Sequence, residues 1–320
     1  MNFSEVNYSS YDNRSSDGPV DDLNLLPSLQ AQLVVAEVIY IVVFVVGVPG
    51  NALVLWVTVW EARRSVNAIW FLNLAVADLL SCLALPIHIM TILMHGNWVF
   101  GEVPCRILIV LIYFNLYASV LLLATISADR FLLVFRPIWC QKHRMARRAW
   151  LASGVAWMLA LALSIPYSVF GALFEDLISK MPVCTVSFEL VDPELAVAII
   201  MTLFVLTFLV PLVTMSVCYT LLLLRAWRRP ATRSTKTLKV VVAVVTSFFI
   251  FWLPYQVHRM VVAVVNHDTK MVDSSVRLGM ALTSMNCCIN PIIYVAASRG
   301  LHIRVFKFQP GQLYQLLTED

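Results

Sequence analysis

Charge is what this chain has least of. Only 13% of its 320 residues are Asp, Glu, Lys or Arg, about half the share usual in a soluble globular domain. That scarcity excludes an ordinary water-soluble enzyme or binding domain of this length. Internal repeats and low-complexity stretches are missing too, which argues against repeat arrays and disordered scaffolds. The paired hydropathy halves of many transporters are not found either. The six histidines, His88, His95, His143, His258, His267 and His302, show no metal-ligand spacing, and no H-E-x-x-H occurs. No catalytic residue, structural metal or nucleic-acid partner is therefore expected. The alternating ten-residue pattern of a membrane β-barrel is missing. So are the positive n-region and apolar h-region of a signal peptide, and the first apolar segment is expected to act as its own insertion signal.

What is present is apolar length. The chain is 60% hydrophobic. Seven segments reach the roughly 20 residues needed to cross a bilayer as a helix. They are Leu33–Trp60, Asn67–Met94, Glu102–Phe135, Arg147–Phe170, Glu194–Trp227, Thr237–Val265 and Val272–Ala297. The fold class read from them is all-α, a seven-transmembrane helix bundle over 33–297. A polar, acidic tail over 1–32 precedes it, and 298–320 follow as a juxtamembrane piece and short tail. The last span contains no lysine, which excludes a retinal Schiff base there. Just after it, Leu301, Val305 and Phe308 alternate with Arg304 and Lys307, the pattern of a short amphipathic helix lying on a lipid surface.

Orientation follows from the basic residues, which collect on cytoplasmic connections. Arg63 and Arg64 follow the first span. Arg136, Lys142, Arg144, Arg147 and Arg148 follow the third. Arg225, Arg228, Arg229, Arg233, Lys236 and Lys239 follow the fifth, and Arg299, Arg304 and Lys307 follow the seventh. Together these are most of the 23 basic residues, so the N-terminus is expected outside and the chain in the plasma membrane as a multi-pass protein. The opposite end is acidic, with Glu5, Asp12, Asp17, Asp21, Asp22, Glu37, Glu102, Glu175, Asp176, Glu189, Asp192, Glu194, Asp268 and Asp273. Such a mouth steers cationic ligands. The same asymmetry is also the ordinary counterpart of the positive-inside bias. Three glycosylation sequons begin at Asn2, Asn7 and Asn13. Tyr8 and Tyr11 sit among acids in a context suited to sulfation, or equally to a plain disordered tail.

Several short motifs carry mechanism. Cys105 opens the third span and Cys184 lies in the connection after the fourth, both on the oxidising side, and a bridge between them is expected. The other five cysteines read as packing residues. Asp78 is the one acid near the middle of a span, a costly position and a functional candidate for that reason. Asn51, Asn115, Ser119, Asn286 and Asn290 lie at similar depth on other spans. Oxygen donors around one carboxylate suit a small hard cation, and a possible sodium site at Asp78 is the only cofactor expected. A polar network that joins helices is the plainer reading. Asp129-Arg130-Phe131 closes the third span, Phe248-x-x-x-Trp252-Leu-Pro254 lies in the sixth, and Asn290-Pro-Ile-Ile-Tyr294 ends the seventh. Pro86, Pro166 and Pro211 interrupt three more spans, and prolines kink such helices.

These motifs, in this order and at these depths, resemble the rhodopsin-like (class A) G-protein-coupled receptors. Within them the chain is most similar to the complement anaphylatoxin chemotactic receptors. The likeness is carried by Asn67–Asp78, Leu121–Phe135, Pro137–Gln141, Ala231–Gln256 and Asn286–Tyr294. The resemblance implies a chemoattractant receptor for an anaphylatoxin-like cationic peptide or protein, signalling through an inhibitory-type G protein. A non-signalling decoy receptor is the alternative. Arg130 would enter the G protein's site, with Asp129, Phe131, Tyr219 and Tyr294 around it, and Phe248 and Trp252 would relay the ligand's push. Ser234 stands where an acid at the base of the sixth span would pair Arg130, which leaves adjacent Asp129 as its expected partner. Ligand contact is expected at His88, Tyr113, Trp252, Tyr255, His258, Arg259 and Arg277. The resemblance also implies a clasp for a ligand's terminal arginine. Its charged positions fall here on Gly171, on Leu203 or Met201, and on Val276, so that clasp is expected to be missing. Thr318 is all that remains of a Ser/Thr-rich tail. Arrestin coupling is then expected to depend on loops, unless the tail is truncated.

Overall fold

A computed structural model describes residues 20–61, 65–94, 96–175, 181–186, 191–228, 235–265 and 278–297. The sequons, Tyr8, Tyr11, Arg277, Val276 and the stretch after 297 lie outside the described residues, as do the side chains of Arg259 and Tyr294.

The helices in chain order are α1 Val20–Glu61, α2 Val66–Leu93, α3 Glu102–Phe135, α4 Pro137–His143 and α5 Ala146–Phe170. A hairpin of β1 Gly171–Glu175 and β2 Pro182–Val186 follows. Then come α6 Pro193–Phe204, a π-helical turn Val205–Leu209, α7 Val210–Arg228, α8 Thr235–Val265 and α9 Asn286–Ala297. Residues 278–284 are helical as well, and a turn at Met285 separates them from α9. Five stretches among the described residues are long and apolar enough to cross a membrane: Ala31–Val59, Val66–Leu93, Glu102–Phe135, Ala146–Phe170 and Glu194–Arg225.

These five correspond to the first five expected spans, with instructive differences, while the expected sixth lies within α8 and the start of the expected seventh falls outside the described residues. The third runs from Glu102 to Phe135 as read. The first helix begins at Val20 instead of Leu33, because a helix continues past the apolar segment that defines a span. The fifth is split by the π-helical turn that precedes Pro211. Pro lacks an N–H, so the ladder must shift near it, and a π-turn takes up the change. Pro86, Pro166, Pro254 and Pro291 each sit inside a helix, as expected.

Apolar side chains face outward along whole helices. On α1 these include Val34, Val38, Ile41, Val42 and Val45, and on α5 Leu151, Val155, Met158 and Ile165. Only lipid makes such a surface favourable, so the hydrophobic effect cannot be what joins these helices. Close packing and hydrogen bonds must do it. Gly47 in α1 illustrates the packing: a Cβ there would lie 2.5 Å from Cys82 Sγ of α2. Asn51 illustrates the bonding, its amide donating to Gly47 O at 3.0 Å and across to Cys287 O of α9 at 2.7 Å. Trp157 of α5 donates to Asn73 Oδ1 of α2 at 2.9 Å. α3 is the central post, packed against α2, α5 and α7.

Candidate functional site

The two ends of the bundle and its middle carry separate constellations. At one end Cys105 of α3 is bonded to Cys184 of β2, Cα atoms 5.6 Å apart, as the sequence indicated. The connection expected to be plain loop is instead the hairpin, with Leu173 opposite Cys184. Trp98 N–H donates to Pro182 O at 2.7 Å, so the turn after α2 holds the same hairpin. Beneath it lies a set of tyrosines from three spans. The hydroxyls of Tyr113 and Tyr255 are 3.1 Å apart, those of Tyr117 and Tyr167 2.8 Å apart. The Tyr113 ring stacks on Tyr167 with centroids 3.5 Å apart. Tyr113 and Tyr255 were legible as ligand-facing candidates; Tyr117 and Tyr167 were not, though Tyr167 directly follows the legible Pro166. All four are buried.

From Tyr255 the aromatic contacts continue inward. Trp252 lies edge-on to Tyr255 at 6.4 Å, Phe248 is 5.4 Å from Trp252, Phe249 is 5.2 Å from Phe248, and Phe208 of the π-turn is 6.0 Å from Phe249. Ring contacts thus run without a break from Tyr255 of α8 to the π-helical turn of the fifth span. His88 is half-buried and stacks on Tyr40 of α1 at 5.5 Å, while His258 keeps a buried Nε2 with no hydrogen-bond partner among the described residues. Gly171 has no room for a side chain: a Cβ there would meet Tyr167 O at 2.6 Å and Ile109 Cδ1 at 2.9 Å. Leu203 is buried and Met201 is exposed.

Halfway down, Asp78 is 1% exposed. Ser119 of α3 donates to its Oδ1 at 3.4 Å, and Asn290 of α9 donates to Oδ2 at 2.6 Å. Asn115 and Asn286 are buried too, and their side-chain carbonyl oxygens, with that of Asn290, accept no hydrogen bond among the described residues. Buried acceptors without donors are costly. A carboxylate with carbonyl oxygens in excess of donors is a donor set that fits a hard cation. The turn at Met285 sits directly before Asn286, and Met285 O accepts Cys288 N–H at 3.1 Å.

At the far end Arg130 is buried, 9% exposed. Tyr219 of α7 lies nearby, its hydroxyl 3.0 Å from that of Ser127 one turn back along α3. Phe131 stacks on Phe135 at 4.5 Å, and the Arg225 guanidinium lies over the Phe135 ring at 5.1 Å. Asp129 has a partner that the sequence did not suggest. Both carboxylate oxygens are taken by Arg144, Nε to Oδ1 at 2.9 Å and Nη2 to Oδ2 at 2.9 Å. Arg144 stands beyond α4, a seven-residue helix in what was read as a connection. Cys140 of α4 is buried, and burial and the nearby Asp129 carboxylate push its thiol upward, which suits inert packing.

Comparison with known proteins gives a family and a set of similar receptors. The model of the family described as "7 transmembrane receptor (rhodopsin family)" matches residues 50–294. The chain is 54% identical to the C5a anaphylatoxin chemotactic receptor 1 of Oryctolagus cuniculus, over 100% of this chain and 93% of that one. It is 50% identical to the receptors of the same name from Rattus norvegicus and Homo sapiens. Those matches cover 99% and 100% of this chain, and 91% and 92% of the relatives.

Proposed function

Because the chain belongs to the rhodopsin family of seven-transmembrane receptors, and is a receptor rather than an enzyme, we propose that it is a chemoattractant receptor for a C5a-like complement anaphylatoxin, signalling through inhibitory-type heterotrimeric G proteins. The observation that carries this reading is identity of half or more with receptors named for C5a, sustained over essentially the whole chain.

The N-terminus is read as extracellular at the plasma membrane, with the disulfide-pinned hairpin at the outer mouth and Arg130 at the inner one. The acidic tail and rim draw in a cationic ligand. Sulfated Tyr8 and Tyr11 would add to that charge, and glycans at Asn2, Asn7 and Asn13 would keep the tail in water. The ligand's end presses on Tyr113 and Tyr255, and Trp252 passes the displacement to Phe248, Phe249 and Phe208. The absence of space at Gly171 and of charge at Leu203 supports a terminal-group site unlike an arginine clasp. His258, Arg259 and Arg277 would instead favour an anionic group. A buried ligand charge left unpaired costs several kcal/mol by order of magnitude. Asp78, Asn115, Ser119, Asn286 and Asn290 would hold sodium, which supplies a positive charge that favours the resting packing of α2, α3 and α9. Arg130 would meet the G protein, with Tyr219 and Tyr294 closing on it. Membrane lipid and, through the loops, arrestin are the remaining partners in this reading.

The test is C5a-stimulated nucleotide exchange on an inhibitory-type G protein with the purified full chain in nanodiscs. Saturable C5a binding with accelerated exchange is the expected result. Binding without exchange would make the chain a decoy receptor, and no binding would remove C5a as the ligand.

A further inference from the structure

Arg106 follows the bridged Cys105 on α3 and reaches two neighbours. Its Nε and Nη2 donate to Glu102 Oε1, one turn back, at 3.1 and 2.8 Å. Its Nη1 donates to Ser168 O at 3.2 Å, in the last turn of α5, where the final carbonyls have no partner within the helix. That turn has no basic residue of its own, so Arg106 brings the cation that a helix C-terminus favours. A guanidinium has five N–H donors. These bonds use three, and the other two, one on each Nη nitrogen, have no partner among the described residues. The side chain is 42% exposed, so a ligand can reach them. The face of α3 that carries Arg106 runs inward to the tyrosines, because Ile109 and Tyr113 lie on the same side of the helix. Ile109 closes against Gly171, where a Cβ would lie 2.9 Å from its Cδ1, and Tyr113 stacks on Tyr167 of α5. α3 and α5 are thus shut against each other below Arg106, which stays at the mouth about 10 Å along the axis from Tyr113.

We propose that Arg106 is a specificity-determining residue that takes a carboxylate of the ligand across its two open N–H groups. This rests on the chemoattractant-receptor reading given above. Paired N–H donors on one guanidinium match the two oxygens of a carboxylate, and such a pair is stronger and more directional than a neutral hydrogen bond. Glu102 and Ser168 O hold the guanidinium from two other sides, so little side-chain freedom remains to be lost when the carboxylate arrives. An acidic mouth draws in a cationic ligand but repels any carboxylate the ligand carries. Arg106 is where such a group can come to rest. The carboxylate is the ligand's C-terminus or an acidic side chain near it. If the ligand's end touches Tyr113, the group at Arg106 lies about three extended residues upstream.

The experiment measures equilibrium binding to the full chain in nanodiscs, without G protein. The probes are C5a and a synthetic peptide copying its C-terminal segment. The peptide is made as the free acid, with its C-terminus amidated, and with its Asp and Glu side chains converted to Asn and Gln. Arg106→Ala should weaken C5a and the free-acid peptide by about fivefold, a modest factor because water screens so exposed a site. Arg106→Lys, which keeps the charge but loses the fork, should fall in between. One of the two altered peptides should bind the parent and Arg106→Ala alike, and which one it is names the source of the carboxylate. A merely structural Arg106, tying α3 to α5, would cost every form of the peptide the same factor, and that result would overturn the proposal. So would C5a and free-acid peptide affinities unchanged in Arg106→Ala. A parent that binds neither C5a nor the peptide would instead overturn the ligand reading on which the proposal rests.

Discussion

Asp78→Asn turns one oxygen of a buried carboxylate into an amide nitrogen and removes a charge from a site 1% exposed. The shape is kept. Either Ser119 or Asn290 still finds a carbonyl oxygen to donate to, and the hydrogen bond lost is worth roughly 0.6–1.7 kcal/mol inside a membrane bundle. Relief from burying a charge offsets part of that, so expression and fold should persist. Sodium linkage should not. A cation that binds the resting state alone at about ten times its Kd stabilises that state by about 1.4 kcal/mol, which is about tenfold in the affinity of an agonist preferring the other state. The assay is agonist competition binding on membranes, with sodium exchanged for a large organic cation at constant ionic strength. In the parent, agonist affinity should rise about tenfold when sodium is withdrawn, whereas Asp78→Asn should show little change. A parent indifferent to sodium would refute the reasoning. The orphaned oxygens of Asn115, Asn286 and Asn290 would then be packing features only.

Two other perturbations follow from close contacts. Gly47→Val should cost roughly 1–3 kcal/mol, the usual penalty of overpacking, read as a lower melting temperature in detergent. Cys82→Ala should restore most of it, because Cys82 Sγ is the atom a Cβ would strike at 2.5 Å. Tyr167→Phe leaves the Tyr117 hydroxyl without its 2.8 Å partner and should destabilise by about 1 kcal/mol, while the double change to Phe at 117 and 167 should be nearer neutral; equal losses in both would contradict the pairing.

Much of this arrangement is legible in the chain itself, for physical reasons that differ by element. Spans announce themselves because lipid demands an apolar surface for about 20 residues, which is why Glu102–Phe135 is found to the residue. The same signal is silent about helix that runs on into water, so the start of α1 among Asp21, Asp22 and Asn24 was missed. α4 was missed because seven residues make too few turns to show a period. The hairpin was missed because its strands are five residues each and, among the described residues, pair only with one another. A π-turn is a change of hydrogen-bond register and leaves no pattern in side chains beyond the nearby Pro211.

The site divides the same way. A lone carboxylate at mid-span is conspicuous, and Asp78 does meet Ser119 and Asn290. The bridge from Cys105 to Cys184 was legible because sidedness leaves few oxidisable cysteines. The partner of Asp129 was not, because Arg144 reaches it through the fold, and the sequence offers Arg130 next door as the simpler choice. Tyr117 and Tyr167 are tyrosines among many apolar neighbours, and only their packing sets them apart.

The central claim is that this chain passes an extracellular binding event to a G protein through Arg130. The most direct test is C5a-stimulated nucleotide exchange with Arg130→Ala beside the parent, binding being measured on the same preparations. The account predicts that the variant binds C5a as the parent does and stimulates no exchange. Exchange undiminished in Arg130→Ala would contradict it.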